Sequence, residues 1–331
     1  MDIPKPITLS ATVENWPIAG RFTISRGAKT EAIVVVATLS DGVHRGRGEC
    51  VPYQRFGESV EGVVRSIQGM TATIAQGLDR KGLQQAMPVG AARNAIDCAF
   101  WDLEAKRAGK PVHELAGLPA LKPMITAYTI SLADPAAMAR AAEKAASRPL
   151  LKIKLGADGD RARLAAVRAF APKTRLIVDA NEGWNDSNLA ENLAVCARAG
   201  VELVEQPLPA AHDGLLAKIK RPIPVCADES AHDRASLPGL AGKYDAVNIK
   251  LDKAGGLTES LAMAAEAEQQ GLALMAGCMV ATSLAMAPAI LLAQRARYVD
   301  LDGPLLLERD RPGGLRYEKS QVFPAPMELW G

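Results

Sequence analysis

The sequence has few of the residues that mark several classes of protein. Its five cysteines (Cys50, Cys98, Cys196, Cys226 and Cys278) are odd in number and form no C-x-x-C pair. This usage indicates reduced thiols in a cytoplasmic protein rather than a disulfide framework. Lysine and arginine number 39 against 37 acidic residues, a net charge of +2, and no block of like charge occurs. We therefore expect neither nucleic acid nor a membrane as a partner.

Long apolar segments are also scarce. Residues 1–16 contain no apolar stretch of the kind found in a signal peptide. Residues 271–294 carry no charge and are long enough to cross a bilayer, but Gly277 and Pro288 interrupt them. We predict a buried strand, a loop and a helix there.

A chain of 331 residues fits a barrel with a second, smaller domain. Residues 1–120 read as an α+β domain, with a β-branched run over 31–39 and helices from about Ser59 and Pro88. Eight short apolar runs then alternate with alanine-rich helical stretches and predict a parallel β/α barrel over 121–303. The predicted strands are 126–131, 150–156, 175–181, 201–207, 224–230, 246–252, 272–278 and 298–302. The tail, 304–331, is expected to pack back on the N-terminal domain.

Three carboxylates recur at the spacing of consecutive strand–helix units. Asp179, Glu205 and Asp228 are spaced by 26 and 23 residues, and each stands near the C-terminal end of an apolar run. In a β/α barrel these ends converge on one mouth, where the active site forms. Three carboxylates without histidine suit a hard cation, Mg²⁺ or alternatively Mn²⁺, rather than zinc.

Lysines stand on the strands that flank these carboxylates. Lys152 and Lys154 lie on the second predicted strand and Lys250 on the sixth, on opposite sides of the barrel axis. One of Lys154 and Lys250 can remove a proton α to a carboxylate, and the other can return it to the opposite face. A base of this kind needs a pKa lowered from about 10.4 toward roughly 7–8 by burial and neighbouring positive charge. We assign Lys152 to electrostatic stabilisation.

This ordered set of lysines and carboxylates resembles the muconate lactonizing enzyme subgroup of the enolase superfamily. The resemblance spans residues 26–302 and implies an α/β fold, a modified TIM barrel of (β/α)7β form with an N-terminal α+β capping domain. It also implies proton abstraction through an enolate on a metal-bound carboxylate. None of the four histidines stands where the mandelate racemase subgroup would require one.

Within the subgroup, three segments resemble the dipeptide epimerases. Asp300 and Asp302 alternate on the last strand, and the resemblance implies that they hold the α-ammonium group of a dipeptide. Arg26, in Ile-Ser-Arg-Gly, resembles the capping-loop arginine that meets a glutamate side chain. The resemblance further implies that Cys278 and Met279 line the dipeptide. Two loop aromatics are candidate substrate contacts, Tyr53 and Phe56, with Arg55 between them, and Asn181 and Glu229 are candidate supporting residues.

The sequence thus predicts a Mg²⁺-dependent isomerase that epimerises L-Ala-L-Glu to L-Ala-D-Glu in murein peptide recycling. A different dipeptide, a cycloisomerase or o-succinylbenzoate synthase reaction, and racemisation of an N-succinylamino acid are alternatives on the same scaffold. The last two kinds of substrate lack the ammonium group that Asp300 and Asp302 would hold. A Schiff-base aldolase and a non-catalytic barrel would leave the three carboxylates unexplained. A homo-oligomer stays open.

Overall fold

A computed structural model describes residues 6–331, so the expectation for residues 1–16 falls partly outside the described residues. The chain begins with an antiparallel sheet of β1 (Thr8–Ile24), β2 (Gly27–Ser40) and β3 (Arg45–Cys50). Ile24 pairs with Gly27, so the β1–β2 hairpin turns through Ser25 and Arg26 alone. This hairpin is the element that carries Arg26 over the barrel. The predicted run 31–39 lies within β2.

A group of helices covers this sheet. They are the 3₁₀ segment Gln54–Phe56, α1 (Val60–Gly69), α2 (Thr71–Ala75), α3 (Arg80–Ala86), α4 (Ala91–Ala108) and α5 (Val112–Leu115). Ser59 caps α1 by accepting from the Gly62 amide, as its sequence position predicts. The prediction that α4 opens at Pro88 is wrong by three residues. Gly90 adopts a φ of 128° before the helix, and Glu58 Oε1 accepts from the Ala91 amide at 2.7 Å.

The helix α4 lies directly on β3, because two glycines remove the side chains that would separate them. A Cβ on Gly46 would stand 2.1 Å from the Ala99 carbonyl oxygen, and one on Gly48 equally close to that of Ala95. The close approach fixes the loop after β3 relative to the barrel mouth.

The barrel follows a short strand, β4 (Met124–Ile125). Its eight parallel strands are β5 (Tyr128–Ile130), β6 (Leu150–Lys154), β7 (Arg175–Asp179), β8 (Val201–Glu205), β9 (Val225–Ala227), β10 (Ala246–Ile249), β11 (Ala273–Gly277) and β12 (Tyr298–Asp300). They are hydrogen-bonded in sequence order, and the Ala127 amide donates to Val299 O at 2.8 Å between the first and last strands. All eight predicted strands are present. The expected fold class, a modified TIM barrel with an N-terminal α+β domain, is confirmed.

The connections between strands are less regular than the sequence suggests. The α-helical ones are α6 (Pro135–Ala145), α7 (Asp160–Phe170), α8 (Leu189–Arg198), α9 (Leu251–Ala254), α10 (Leu257–Gln269) and α11 (Ser283–Ala293). After β8 and β9 the links are 3₁₀ segments, Ala210–Ala217 and Arg234–Leu240. Pro238 lies inside the second of these and removes a backbone donor.

The uncharged stretch 271–294 forms β11, a loop and α11, as predicted. Helix α11 is buried on all sides, which explains why its sequence is apolar throughout. Among the described residues, no helix is both long and apolar enough to cross a membrane.

The C-terminal segment runs through the 3₁₀ turn Gly303–Leu306 to β13 (Tyr317–Glu318) and β14 (Gln321–Val322), which pairs with β4. It then meets the N-terminal domain. Arg311 Nη2 lies 2.7 Å from Glu49 Oε2, and the Trp330 indole donates to Cys98 O at 3.0 Å. The assignment of residues 304–331 to the capping domain and the boundaries at 120 and 303 stay predictions.

Candidate active site

The barrel strands bring the predicted polar residues together at one end of the barrel. In the sheet register Lys154 lies beside Asp179, and Asp179 beside Glu205. Asp228 and Lys250 immediately follow β9 and β10, and Asp300 ends β12. All of these are at the C-terminal ends of parallel strands, where a β/α barrel carries its functional groups.

Asp179, Glu205 and Asp228 form a compact carboxylate cluster. One oxygen from each lies within 4.8 Å of the others, and all three residues are buried. Glu205 Oε2 has no partner in hydrogen-bond geometry, although Lys152 Nζ lies 2.6 Å away. Asn181 Oδ1 and Glu229 Oε2 nearby are also without partners. A buried carboxylate cluster with an oxygen left in this way fits a hard divalent cation that Asp179, Glu205 and Asp228 would share.

Lys152 lies between two carboxylates of this cluster, Asp179 and Glu205, and the carboxylate of Asp300. Its ammonium lies 3.2 Å from Asp179, 2.6 Å from Glu205 and 2.7 Å from Asp300, and the side chain is almost fully buried. Although burial acts in the opposite direction, these carboxylates raise the pKa of Lys152 well above its usual value. Lys152 is therefore a fixed positive charge.

The two lysines on opposite strands each meet one carboxylate of the cluster. Lys154 Nζ lies 2.6 Å from Asp179 Oδ2, and Lys250 Nζ lies 2.7 Å from Asp228 Oδ2. Both lysines line the cavity above the cluster. Their strands, β6 and β10, are four places apart in the eight-stranded sheet. The cavity is thus flanked by an amine on either side.

The expected lowering of the lysine pKa is wrong for Lys250 in this arrangement. Burial acts to lower its pKa, but the Asp228 carboxylate outweighs burial and raises the pKa above its usual value. Conversely, although burial opposes it, Lys250 and Lys253 hold the pKa of Asp228 well below its usual range. Burial, with the charge of Asp179, raises the pKa of Glu205 to about 7. The charge state of the cluster therefore decides the basicity of Lys250.

Asp300 and Asp302 both line the cavity, but their surroundings differ. Asp300 Oδ2 accepts from Lys152, whereas its Oδ1 has no partner. Asp302 lies beyond the end of β12, and its Oδ2 accepts from the Thr129 amide at 2.6 Å. Burial and the charge of Asp300 raise the pKa of Asp302 to about 7. Two adjacent, incompletely paired carboxylates would be stabilised by a cationic ligand.

The capping domain closes the cavity, whose volume is about 780 Å³. Arg26, at the tip of the β1–β2 hairpin, donates to Glu229 Oε1 at 2.7 Å, Asn181 O at 2.7 Å and Tyr53 Oη at 3.0 Å. Arg26 Nη1 also lies 3.2 Å from Glu182 Oε2. The hairpin is therefore tied to loops that follow the barrel strands.

The other predicted contacts also line this cavity: Tyr53, Phe56, Cys278 and Met279. Tyr53 and Phe56 pack edge to face with ring centroids 5.3 Å apart. Arg55 lines the cavity too, and its Nε and Nη2 donate to Glu182 at 2.8 Å each. Burial raises the pKa of the Cys278 thiol well above its usual value, which fits a packing role better than a nucleophilic one.

Sequence reasoning missed several residues that support the cluster. Asn248 donates to Glu205 Oε1 at 2.7 Å, and Lys253 Nζ lies 2.6 Å from Asp228 Oδ1. Asn248 could have been found, because it stands two residues before Lys250 and so shares the inward face of its strand. Lys253 could not, because it reaches Asp228 only through the short helix α9. Glu182, which holds Arg26 and Arg55, was also missed.

Backbone strain is concentrated at the same mouth. Asn181 and Glu182 have φ values of 45° and 64°, and Gln206 has 33°. These residues directly follow the strands that end in Asp179 and Glu205. A left-handed backbone conformation costs a non-glycine residue on the order of 1 kcal/mol, and it persists where surrounding contacts fix it. Glu182 is fixed in this way by Arg55 and by the Ala210 amide, which donates to its Oε1 at 2.8 Å.

Comparison with known proteins agrees with this site and fold. Residues 6–117 match the mandelate racemase / muconate lactonizing enzyme N-terminal domain, and residues 136–324 match the enolase C-terminal domain-like family. The chain belongs to the enolase superfamily, in its mandelate racemase and muconate lactonizing enzyme branch.

Its relatives include proteins that act on glutamate derivatives. The L-Ala-D/L-Glu epimerase of Escherichia coli K12 is 43% identical over 95% of this chain and 99% of its own length. The N-acetyl-D-glutamate racemase of a Pseudoalteromonas species is 44% identical over 90% of this chain and 95% of its own. A crystal structure of an Agrobacterium tumefaciens enolase family member with homology to dipeptide epimerases contains sodium and L-Ala-L-Glu. It is 57% identical, covers 98% of this chain and 100% of that one, and has a TM-score of 0.97.

Proposed function

We propose that this protein is a Mg²⁺-dependent dipeptide epimerase that inverts the α-carbon of the C-terminal residue. One observation carries the proposal. Lys154 and Lys250 line the same cavity from opposite strands, with the Asp179–Glu205–Asp228 cluster between them. Two amines on opposite sides of one carbon can exchange its proton between faces, which is the chemistry of an epimerase.

The proton α to a carboxylate is hard to remove because an enolate dianion results. A divalent cation held by Asp179, Glu205 and Asp228 would bind the substrate carboxylate and stabilise that developing charge. Lys152 adds a fixed ammonium at the same place. Lys154 and Lys250 then take and return the proton, each serving as base for one diastereomer and as acid for the other.

The charge of the cluster sets the conditions for this exchange. Lys250 donates a hydrogen bond to Asp228 Oδ2, and this ion pair keeps the amine protonated. A cation held by Asp228 would weaken the ion pair and so lower the pKa of Lys250. Lys250 would then be a better base, as the mechanism requires. Metal binding and the basicity of Lys250 would thus be coupled through the Asp228 carboxylate.

We propose L-Ala-L-Glu as the substrate and L-Ala-D-Glu as the product. The α-ammonium of the alanyl residue would be held between Asp300 and Asp302. Asp300 Oδ1 has no hydrogen-bond partner, and the raised pKa of Asp302 shows that neighbouring cations do not fully offset its negative charge. The 43% identical epimerase and the Agrobacterium tumefaciens complex support a glutamyl residue at the reacting position. Murein peptide recycling is the process we propose for this activity.

Racemisation of N-acetylglutamate is a second candidate, favoured by the 44% identical racemase. Both substrates place an acyl group on the nitrogen of glutamate. They differ in the ammonium group, which the acetyl compound lacks. Asp300 and Asp302 would face its uncharged methyl group, so we expect the dipeptide to be preferred.

The deciding experiment is proton NMR of L-Ala-L-Glu incubated with the protein and Mg²⁺ in D₂O, with N-acetyl-L-glutamate in a parallel sample. We expect loss of the glutamyl α-proton signal and appearance of the L,D diastereomer. Exchange of the acetyl compound alone would establish the second candidate. No exchange in either sample would direct the search to other dipeptides.

We further propose a cytoplasmic location, supported by five free cysteines of which four are buried. Such unpaired thiols are typical of a reducing compartment.

A further inference from the structure

The cavity wall of the proposed epimerase carries six basic residues: Arg26, Lys29, Arg55, Lys152, Lys154 and Lys250. Five of them have a carboxylate oxygen within the ion-pair distance of 4.0 Å. Among the residues that the structure describes, Lys29 is the one basic residue of this wall without such a partner.

Lys29 lies on the hairpin face that covers a proposed base. It is directly opposite Phe22 in the β1–β2 register. Directly opposite residues of an antiparallel pair share a face, with Cβ atoms about 5 Å apart. The Phe22 ring stands over Lys154, whose Nζ is 5.7 Å from the ring centroid. The ammonium of Lys29 is itself 5.5 Å from the centroid of the Tyr53 ring.

The positive charges of the two nearby arginines, Arg26 and Arg55, are already offset by carboxylates. Arg55 makes a two-point contact with Glu182, and Arg26 is shared between Glu182 and Glu229. An acidic side chain that approached Arg26 would therefore also approach two carboxylates. Lys29 offers positive charge without that repulsion, so it would add to the attraction of Arg26 for a substrate carboxylate.

We propose that Lys29 is a specificity-determining residue, which binds the side-chain carboxylate of the residue that is epimerised. The proposal rests on the proposed function and assigns one further residue to the side-chain preference of the same site. Arg26 then acts with Lys29 and also holds the hairpin tip on the barrel.

The test compares L-Ala-L-Glu with L-Ala-L-Gln, its neutral isostere, in the wild type and in Lys29→Met. A charged hydrogen bond lost at an exposed position predicts about a tenfold fall in kcat/KM for the glutamyl substrate. The glutaminyl substrate should change by less than about twofold, because it gains nothing from the charge. Lys29→Arg should retain the preference. Lys81→Met removes an exposed lysine of α3, away from the cavity, and should change neither rate.

Calorimetric binding of the two dipeptides in the presence of Mg²⁺ measures the same contrast as an affinity rather than as a rate. A protein that exchanges no α-proton would disprove the proposed function, yet its affinities would still report on Lys29. Equal losses for both dipeptides in Lys29→Met, or no loss for either, would overturn the role of Lys29. A selective loss for L-Ala-L-Glu would establish it.

Discussion

The two walls of the cavity are built in different ways. On the barrel wall, Lys152, Asp179 and Glu205 are at most 1% exposed and stand on parallel strands, and Lys152 forms an ion pair with each of the two carboxylates. On the capping wall, the side chains of Arg26 and Arg55 are 27% and 39% exposed and come from a hairpin turn and a loop. The barrel wall is fixed for one chemistry. The capping wall can change its side chains at little cost to the fold, which suits the selection of a substrate.

The largest effect is expected from the barrel wall, at its two proposed bases. Lys154→Ala and Lys250→Ala should each lower epimerisation by about a thousandfold or more, because general acid–base catalysis contributes 10²–10⁴. Proton NMR in D₂O of each diastereomer separately measures this. Each variant should retain solvent exchange of at most one diastereomer. Exposed Lys173 provides a control, and Lys173→Ala should behave as wild type. Normal epimerisation by both site variants would contradict the two-base assignment.

A smaller effect is expected where a neutral residue supports the carboxylate cluster. Asn248→Leu removes the donor to Glu205 Oε1 and leaves that oxygen unpaired. Loss of such a support typically costs 10–100-fold in metal affinity, so the Mg²⁺ concentration for half-maximal activity should rise by about that factor. Thermal unfolding with and without Mg²⁺ provides a second measurement. The variant should lose the metal-induced stabilisation, while its melting temperature in EDTA changes less. An unchanged Mg²⁺ response would remove Asn248 from the support of the site.

Asp302 tests a substrate contact that the barrel itself provides. Asp302→Ala should raise KM for L-Ala-L-Glu about tenfold, because one of the two carboxylates around the proposed ammonium is lost. Binding of N-acetyl-L-glutamate, which has no ammonium, should weaken less. Mg²⁺ affinity should stay as in the wild type. An equal loss of metal affinity would instead place Asp302 in the coordination of the cation.

Substitution of Glu182 tests the contacts that join the capping wall to the barrel wall. Its carboxylate accepts from Arg55 and Arg26 of the capping domain and from the Ala210 amide of the barrel. Glu182→Gln keeps the shape but weakens both ion pairs, so we expect KM to rise by roughly threefold to tenfold with kcat less affected. Arg55→Met should have a similar effect, and the double variant should add little to either alone. Additive losses would show that the two residues act independently.

The sequence predicts the residues of the barrel wall better than those of the capping wall, and the reason is physical. Strand periodicity and the convergence of strand ends were enough to place Asp179, Glu205, Asp228 and the lysines together, because each follows a short buried run. The same argument could have placed Asn248 in the site. Lys253, Glu182 and Lys29 were not, since their roles depend on which loop or hairpin face meets which carboxylate. The contacts of Glu182 with Arg55 and Arg26 join residues more than a hundred positions apart, and no local pattern reports them. The two 3₁₀ links after β8 and β9 were missed because helical composition does not distinguish short turns from full helices.

The smallest effect on activity is expected at the interface between α4 of the capping domain and α10 of the barrel. A substitution there should change the stability of the fold and leave the activity unchanged. Asp97 of α4 accepts from the amide and hydroxyl of Thr258 on α10 and from Gln84 Nε2. Burial, only partly offset by these bonds, raises its pKa from 3.8 to about 6. The folded protein therefore binds this proton more tightly than the unfolded chain, and its contribution to stability declines as pH rises from about 4 to 6.

In Asp97→Asn that decline should disappear, which makes the variant more stable than the wild type at pH 7.5 by up to about 3 kcal/mol. The new amide nitrogen can be satisfied, since Gln84 Oε1 is without a partner and its amide can rotate. Urea unfolding at pH 4.5 and pH 7.5 measures the difference between the two proteins. The activity on L-Ala-L-Glu should be unchanged, because Asp97 does not line the cavity. A stability difference that is the same at both pH values would show that Asp97 is ionised throughout. The two domains would then be joined by a buried charge rather than by a neutral carboxyl group.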